Sequence, residues 1–217
     1  MARTPAHNPV CGWQHEEAAR SHGALRVAGV DEVGRGPMFG PVVAAAVILP
    51  RGCHLEDQGL NDSKKLTEKK RNALDVEIRA QAVAWAVAVV DVETIDRINI
   101  RQASLLAMRS AVQQLALTPD YLLIDGIDTI DWPCRQLSVI KGDATSISIA
   151  AASILAKVYR DRLIVDLDSQ FPGYGLARHK GYGTAAHMEA LTRLGPTPLH
   201  RKNWSPVAQS LLLFPES

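Results

Sequence analysis

Cysteine is scarce in this chain, net charge is close to nil, and no apolar run is long enough to cross a membrane. The three cysteines, Cys11, Cys53 and Cys134, form an odd, scattered set without close spacing, which indicates neither a disulfide framework nor a zinc site. A reducing, cytoplasmic setting is expected. The longest uninterrupted apolar run, residues 82–90, has nine residues, and residues 42–49 make another of eight, against roughly 20 for a bilayer-spanning helix. The N-terminus lacks the charged-then-apolar layout of a secretory signal, and no membrane association is expected. A formal net charge of +1 gives no bulk attraction for nucleic acid. Internal repeats and low-complexity tracts are missing too. What is present is 217 residues, 47% of them hydrophobic and 22% charged, which suits one globular domain with a substantial core. A monomer is expected.

Along the chain, residues 1–22 are polar and unpatterned and read as a flexible tail. Residues 26–31 and 42–49 have the β-rich, Gly- and Pro-bounded character of buried strands. Residues 66–80 favour a helix and 82–90 a strand. Leu105, Met108, Val112 and Leu115 recur at helical spacing before Pro119. Residues 121–124 and 136–140 read as short buried strands, and Leu155, Tyr159, Leu163 and Leu167 as one helix face. Thr184 caps a shorter helix that ends at Gly195. Strands in hairpin-like succession followed by strands separated by helices predict an α/β fold with a mixed central sheet. The expected division is a tail (1–22), a catalytic domain (23–170) and a C-terminal helical segment (171–217).

The most informative stretch is Val30-Asp31-Glu32-Val33-Gly34-Arg35-Gly36-Pro37. An apolar strand that ends in adjacent carboxylates is costly to bury unless cations or donors answer them. The glycines permit a sharp bend and leave amides bare, so that another backbone can come close. The duller alternative is a hairpin turn with solvated acids. Two more apolar strands end in acid, at Asp125 and Asp143. In open α/β sheets ligands bind at the carboxyl ends of strands, so these acids can converge. Packed carboxylates cannot all ionise without cations, and oxygen-only ligands favour Mg²⁺ or Mn²⁺. Singly, Asp125-Gly126 also reads as a turn and Asp143 as a helix cap. Adjacent strand residues point to opposite faces, so Glu32 joins Asp31 only where the pleat breaks or through its carbonyl.

These residues resemble the ribonuclease HII family. The resemblance runs through the Asp31 to Pro37 block, Leu60-Asn61-Asp62-Ser63-Lys64-Lys65-Leu66, Leu123-Ile124-Asp125-Gly126, Lys141-Gly142-Asp143, residues 150–161 and His179-Lys180-Gly181-Tyr182. It implies a ribonuclease H-like fold and an endoribonuclease that cuts RNA in RNA–DNA hybrids and duplex DNA 5′ of an embedded ribonucleotide, leaving 3′-hydroxyl and 5′-phosphate ends. It implies two divalent ions held by Asp31, Glu32, Asp125 and Asp143. Gly34, Arg35 and Gly36 would read the ribose 2′-hydroxyl through their backbone, and Tyr182 would pack on the adjacent deoxyribose. Gly183, in place of a usual proline, and Asn203-Trp204, in place of a commoner Ser-Phe, depart from the pattern without touching a proposed ligand.

Lys64 and Lys65 sit in one of these blocks and, with Arg35, Lys141 and Lys180, are candidate phosphate contacts. A basic bias also marks residues 178–202, five Lys and Arg against the single acid Glu189. The tail Gln209-Ser210-Leu211-Leu212-Leu213-Phe214 has the Gln-x-x-Leu-x-Phe spacing of peptides that dock on sliding clamps, although core packing of its leucines is the plainer expectation. Two other readings remain: a DNA nuclease on the same fold, and a noncatalytic hybrid-binding module. A nucleotide-phosphate pocket is disfavoured, because no Gly-Lys-Ser/Thr element follows Gly36.

Overall fold

The computed structural model describes residues 11–55, 58–60 and 63–213. Strands β1 (Val27–Val33), β2 (Val42–Ile48), β3 (Ala84–Val90), β4 (Tyr121–Asp125) and β5 (Arg135–Val139) form one sheet in the order β3-β2-β1-β4-β5. The first three pair antiparallel, whereas β1, β4 and β5 run parallel. The early helices are α1 (Gln14–Ser21), α2 (Glu68–Gln81), α3 (Val92–Ile98) and α4 (Ile100–Gln113). After the sheet come α5 (Ile147–Gln170), α6 (Leu176–His179), α7 (Ala185–Leu194) and α8 (Ser205–Leu213). Short 3₁₀ turns cover Ser63–Lys65 and Gly142–Ala144.

The sheet is covered on both sides, which is why β2 is buried at every position. Ala28, Val30, Ala44 and Ala46 face Ala103, Ala107 and Ala111 of α4 on one side. Val43, Ala45 and Val47 face Ala151, Ile154 and Leu155 of α5 on the other. Gly29 lets α5 lie directly on β1, because a Cβ there would stand 2.1 Å from the backbone carbon of Ser148. That contact fixes the start of α5, and the turn before it, over the carboxyl ends of β1 and β4.

Several elements differ from the sequence reading. Residues 11–22 are not a loose tail. Glu16 of α1 is fully buried, and its carboxylate accepts from Ser146 Oγ at 2.6 Å and Ser148 N at 2.9 Å. It therefore serves the open amides at the start of α5, where a negative charge is favoured. Residues 1–10 lie outside the described residues. Helix α3 was not anticipated, and α4 starts earlier than its apolar repeat suggests because Asn99 accepts from Gln102 N. Along the second half of α5 the buried positions are Arg160 and Ile164, and Tyr159 is 41% exposed. An arginine on the buried phase hides that face from an apolar periodicity.

The C-terminal helices are pinned by a buried histidine pair. Thr197 N donates to His200 Nδ1 at 2.9 Å, so His200 carries its proton on Nε2 and donates it to His187 Nε2 at 3.1 Å. His187 in turn donates from Nδ1 to the Tyr182 carbonyl at 3.0 Å. This chain is complete only when both rings are neutral. Burial pushes His187 down to about 4, and burial with the facing His187 pushes His200 down to about 3. Both folded values lie below the unfolded 6.5, so the unfolded chain binds more protons in the acid range. Stability should be intact above pH 6.5 and fall as pH drops toward 4, by about 1.4 kcal/mol per pH unit for each extra proton. Melting temperature measured against pH checks this, with a flatter acid limb expected for His187→Gln.

Candidate active site

Strand β1 outruns its neighbour. Its pairing with β4 ends at Val30 and Ile124, while its pairing with β2 continues to Val33. Asp31 and Glu32 therefore stand past the last β4 ladder partner, and Asp125 closes β4 beside them. Asp31 is 6% exposed and Asp143 8%, so two of the four acids are essentially out of water. Asp31 Oδ1 accepts from the Glu32 amide at 2.7 Å, and Ser153 of α5 hydrogen-bonds the same carboxylate. Ser153 is joined to Ser63 at 3.0 Å, which ties the Lys64-Lys65 turn to the acid. Asp125 Oδ1 accepts from Gly142 N at 2.7 Å and Asp143 N at 3.4 Å, drawing the 3₁₀ turn that carries Asp143 onto β4.

The strand pleat is unbroken through Glu32, so of the two routes expected for it the broken pleat is not the one present. Glu32 reaches the group by lying at the sheet's end, where its carboxylate still senses Asp125. Arg35 Nη1 meets its Oε1 at 3.2 Å, and its buried Oε2 has no hydrogen-bond partner. Burial raises Asp31 well above the ordinary carboxylate range, reinforced by Glu32, Asp125 and Asp143. Burial also raises Glu32, partly opposed by Arg35.

Among the described residues no three His, Cys, Asp or Glu side chains are gathered tightly enough to share an ion in their present orientations. The hydrogen bonds give the reason. Asp125 is turned onto the Gly142 amide, Glu32 onto Arg35, and Lys64 Nζ stands 4.0 Å from Asp143. The donor set itself is all oxygen, and it includes one buried carboxylate oxygen without a donor. Those features suit a hard divalent cation.

Beside the acids lies the loop from Gly34 to Pro41. Gly34 takes φ +97°, and a Cβ there would stand 2.4 Å from Arg160 Nε. Gly34, Arg35 and Gly36 donate no backbone hydrogen bond among the described residues. Tyr182, 42% exposed, faces the loop, with its ring 3.7 Å from where a Cβ on Gly36 would be. Of the other predicted contacts, Lys65 and Lys141 are exposed near the site. Lys180 is not so placed, because its ammonium bonds the Ala177 carbonyl at the end of α6. Asn61 and Asp62 lie outside the described residues.

Sequence reasoning missed Ser153, Arg160 and Arg201. Both arginines are fully buried, and burial lowers Arg160 to about 10 and Arg201 to about 9, the latter helped by Arg160 itself. Both stay cationic at neutral pH. Each lay inside a basic or family-like block, and only the glycine at position 34 hinted at what packs behind it.

The family model for Ribonuclease HII matches residues 28–207. The chain belongs to the ribonuclease HII family. The Ribonuclease HII of Geobacter sulfurreducens is 54% identical over 199 residues, covering 92% of this chain and 91% of that one. The solved ribonuclease H2 of Pyrococcus horikoshii superposes with a TM-score of 0.76 at 26% identity, over 89% of this chain and all of that one. A PCNA:RNase HII complex from Archaeoglobus fulgidus gives 0.72 at 29% identity, over 83% and 96%. The fold is ribonuclease H-like, and the enzyme is a metal-dependent endoribonuclease acting on RNA–DNA hybrids.

The acid cluster has a measurable consequence. Because Asp31 is raised in the folded state, its ionisation opposes folding from the unfolded carboxylate range upward. In chelator, the contribution of Asp31 should fall as pH climbs from about 4, opposing the rise that the histidine pair gives, so the gap between parent and Asp31→Asn should widen with pH. Asp31→Asn should melt higher than the parent at neutral pH and lose most of the rise in melting temperature that added Mn²⁺ gives the parent. Thermal melts with and without metal read both effects.

Proposed function

We propose that this enzyme also cuts duplex DNA on the 5′ side of an embedded ribonucleotide, as well as hybrids, leaving 3′-hydroxyl and 5′-phosphate ends. One observation carries the reading: three acids at the ends of β1 and β4, with Asp143 on the 3₁₀ turn drawn against Asp125, lie next to a loop whose amides at Gly34, Arg35 and Gly36 have no backbone acceptor. In this reading Asp31, Glu32, Asp125 and Asp143 hold two divalent ions, Mg²⁺ or Mn²⁺. Bound there, such ions supply an acidified water and positive charge for the leaving oxygen.

The chain's own residues do the rest. Asp31 and Glu32, costly to ionise alone, are the acids that gain most from a cation. The amides of residues 34–36 offer donors to the 2′-hydroxyl, the group DNA lacks. Tyr182 lays its half-exposed ring against the neighbouring deoxyribose. Lys64, Lys65, Arg35 and Lys141 meet phosphates, which position the duplex without reading its sequence.

A duplex with one ribonucleotide, supplied with Mg²⁺ or Mn²⁺, should be cut once, at the 5′ side of that residue. Asp125→Asn should lose several orders of magnitude in rate while melting no lower than the parent. Equal cutting of an all-deoxy duplex would indicate a DNA nuclease on the same fold. Full activity of Asp125→Asn would overturn the site.

We also infer a clamp contact through the C-terminal tail. The leucines do not all pack inward as the plainer expectation held: Leu211 is partly buried, but Leu212 and Leu213 are 83% and 72% exposed at the end of α8. Phe214 lies outside the described residues. The archaeal relative solved with PCNA gives a precedent at the level of the family. Leu212→Ser combined with Leu213→Ser should abolish retention on an immobilised bacterial clamp and leave hydrolysis of free duplex unchanged. Retention at parental level would dismiss the contact.

A further inference from the structure

The Gly34–Pro41 loop is held from beneath by two buried cations. Arg160 donates to three carbonyls: Pro41 from Nε at 3.1 Å, Lys180 from Nη1 at 3.0 Å and Phe39 from Nη2 at 3.0 Å. Arg201 donates to three more: Gly40 from Nε at 2.9 Å, Arg35 from Nη1 at 3.0 Å and Gly34 from Nη2 at 2.5 Å. Both side chains are fully buried, and among the described residues neither guanidinium forms an ion pair. Their charge is answered chiefly by peptide carbonyls, with the Trp204 ring also lying 4.9 Å from the Arg201 guanidinium.

This arrangement does more than fill space. A peptide unit whose carbonyl is drawn inward turns the amide of the following residue the other way. Arg201 draws in the carbonyls of Gly34 and Arg35, so it orients the amides of Arg35 and Gly36. Neither amide has a backbone acceptor, and both residues are exposed. Arg160 binds the loop's far arm and also the Lys180 carbonyl, two residues before Tyr182. Met38 N to the Gly181 carbonyl at 3.1 Å makes a second tie between these segments. The guanidinium forks thus fix the loop and Tyr182 relative to each other.

We propose that Arg160 and Arg201 are positioning residues for sugar discrimination: their inward pull on five loop carbonyls holds the amides of Arg35 and Gly36 where a ribose 2′-hydroxyl meets them. The inference rests on the reading of residues 34–36 as the ribose sensor. Charge alone does not meet the requirement. A lysine supplies a point charge and cannot hold three divergent carbonyls in one plane as a fork does.

The test compares parent, Arg160→Lys and Arg201→Lys, using KM and kcat on a single-ribonucleotide duplex and the inhibition constant of the same duplex made entirely of DNA. In the parent the all-deoxy duplex should bind more weakly than the substrate. Each lysine variant should shrink that preference by roughly ten- to a hundredfold, the scale on which misplacing a positioning group acts. Arg201→Ala should regain part of the preference in millimolar guanidinium, which refits the fork, and none in equimolar ammonium. A parent that binds both duplexes alike would defeat the ribose reading itself. A discriminating parent with equally discriminating, folded lysine variants would defeat the present inference alone. If no substituted protein folds, the arginines are structural supports only and the inference is overturned.

Discussion

The close approach of α5 to β1 at Gly29 is the constraint on which the rest of the molecule depends. A side chain there would collide with the backbone of Ser148 and Ile149. With hydrogen in that place, the helix settles onto the strand and its start is fixed over the carboxyl end of the sheet. Ser153 then reaches Asp31, the 3₁₀ turn before the helix brings Asp143 beside Asp125, and Arg160 arrives under Gly34. One absent methyl group thus sets the positions of both the acid cluster and the loop beside it.

The site sets two concentrations of charge close together, each satisfied differently. The acids at positions 31, 32, 125 and 143 repel one another and have few donors, so the folded protein holds two of them against ionisation. The arginines have abundant acceptors but no counter-ions. Desolvating an ion costs several kcal/mol, while hydrogen bonds from a charged group return roughly 1.5–3 kcal/mol each. Three carbonyls per guanidinium therefore offset burial, whereas the acids have nothing comparable until cations arrive. Against a total stability of about 5–15 kcal/mol for a typical domain, this is a large local imbalance. The loop's carbonyls are already satisfied; the acid pocket is the part left to be completed by something else.

The strands and most helices were legible because their apolar spacing is set by burial on a sheet or helix face. β2 as a continuous apolar run and α7 between Thr184 and Gly195 fall where the sequence puts them. That Asp31 and Asp125 lie at neighbouring strand ends was legible too, since strand ends in parallel sheets point one way. What escaped has a common cause. Glu16, Arg160, Arg201, His187 and His200 are buried polar residues, and a periodicity of apolar side chains counts each as surface. Each has at least one partner, a backbone group, a hydroxyl or a ring, between 13 and 167 residues distant, which no local pattern encodes. Lys180, a cation in a family-like block, has its ammonium bonded to the Ala177 carbonyl at its own helix end, a contact no local pattern announces.

Arg201 clasps Gly34 across 167 positions of chain. On a ribosome, residues 31–36 emerge early, and the acids at 125 and 143 follow well before the guanidinium that must seat beneath the loop. A nascent chain therefore acquires its clustered carboxylates before it can hold the segment beside them in shape. Contacts of such long range are slow to form, because chain closure precedes any reward. The segment around Arg201, translated long after the loop, decides when that loop takes its final shape.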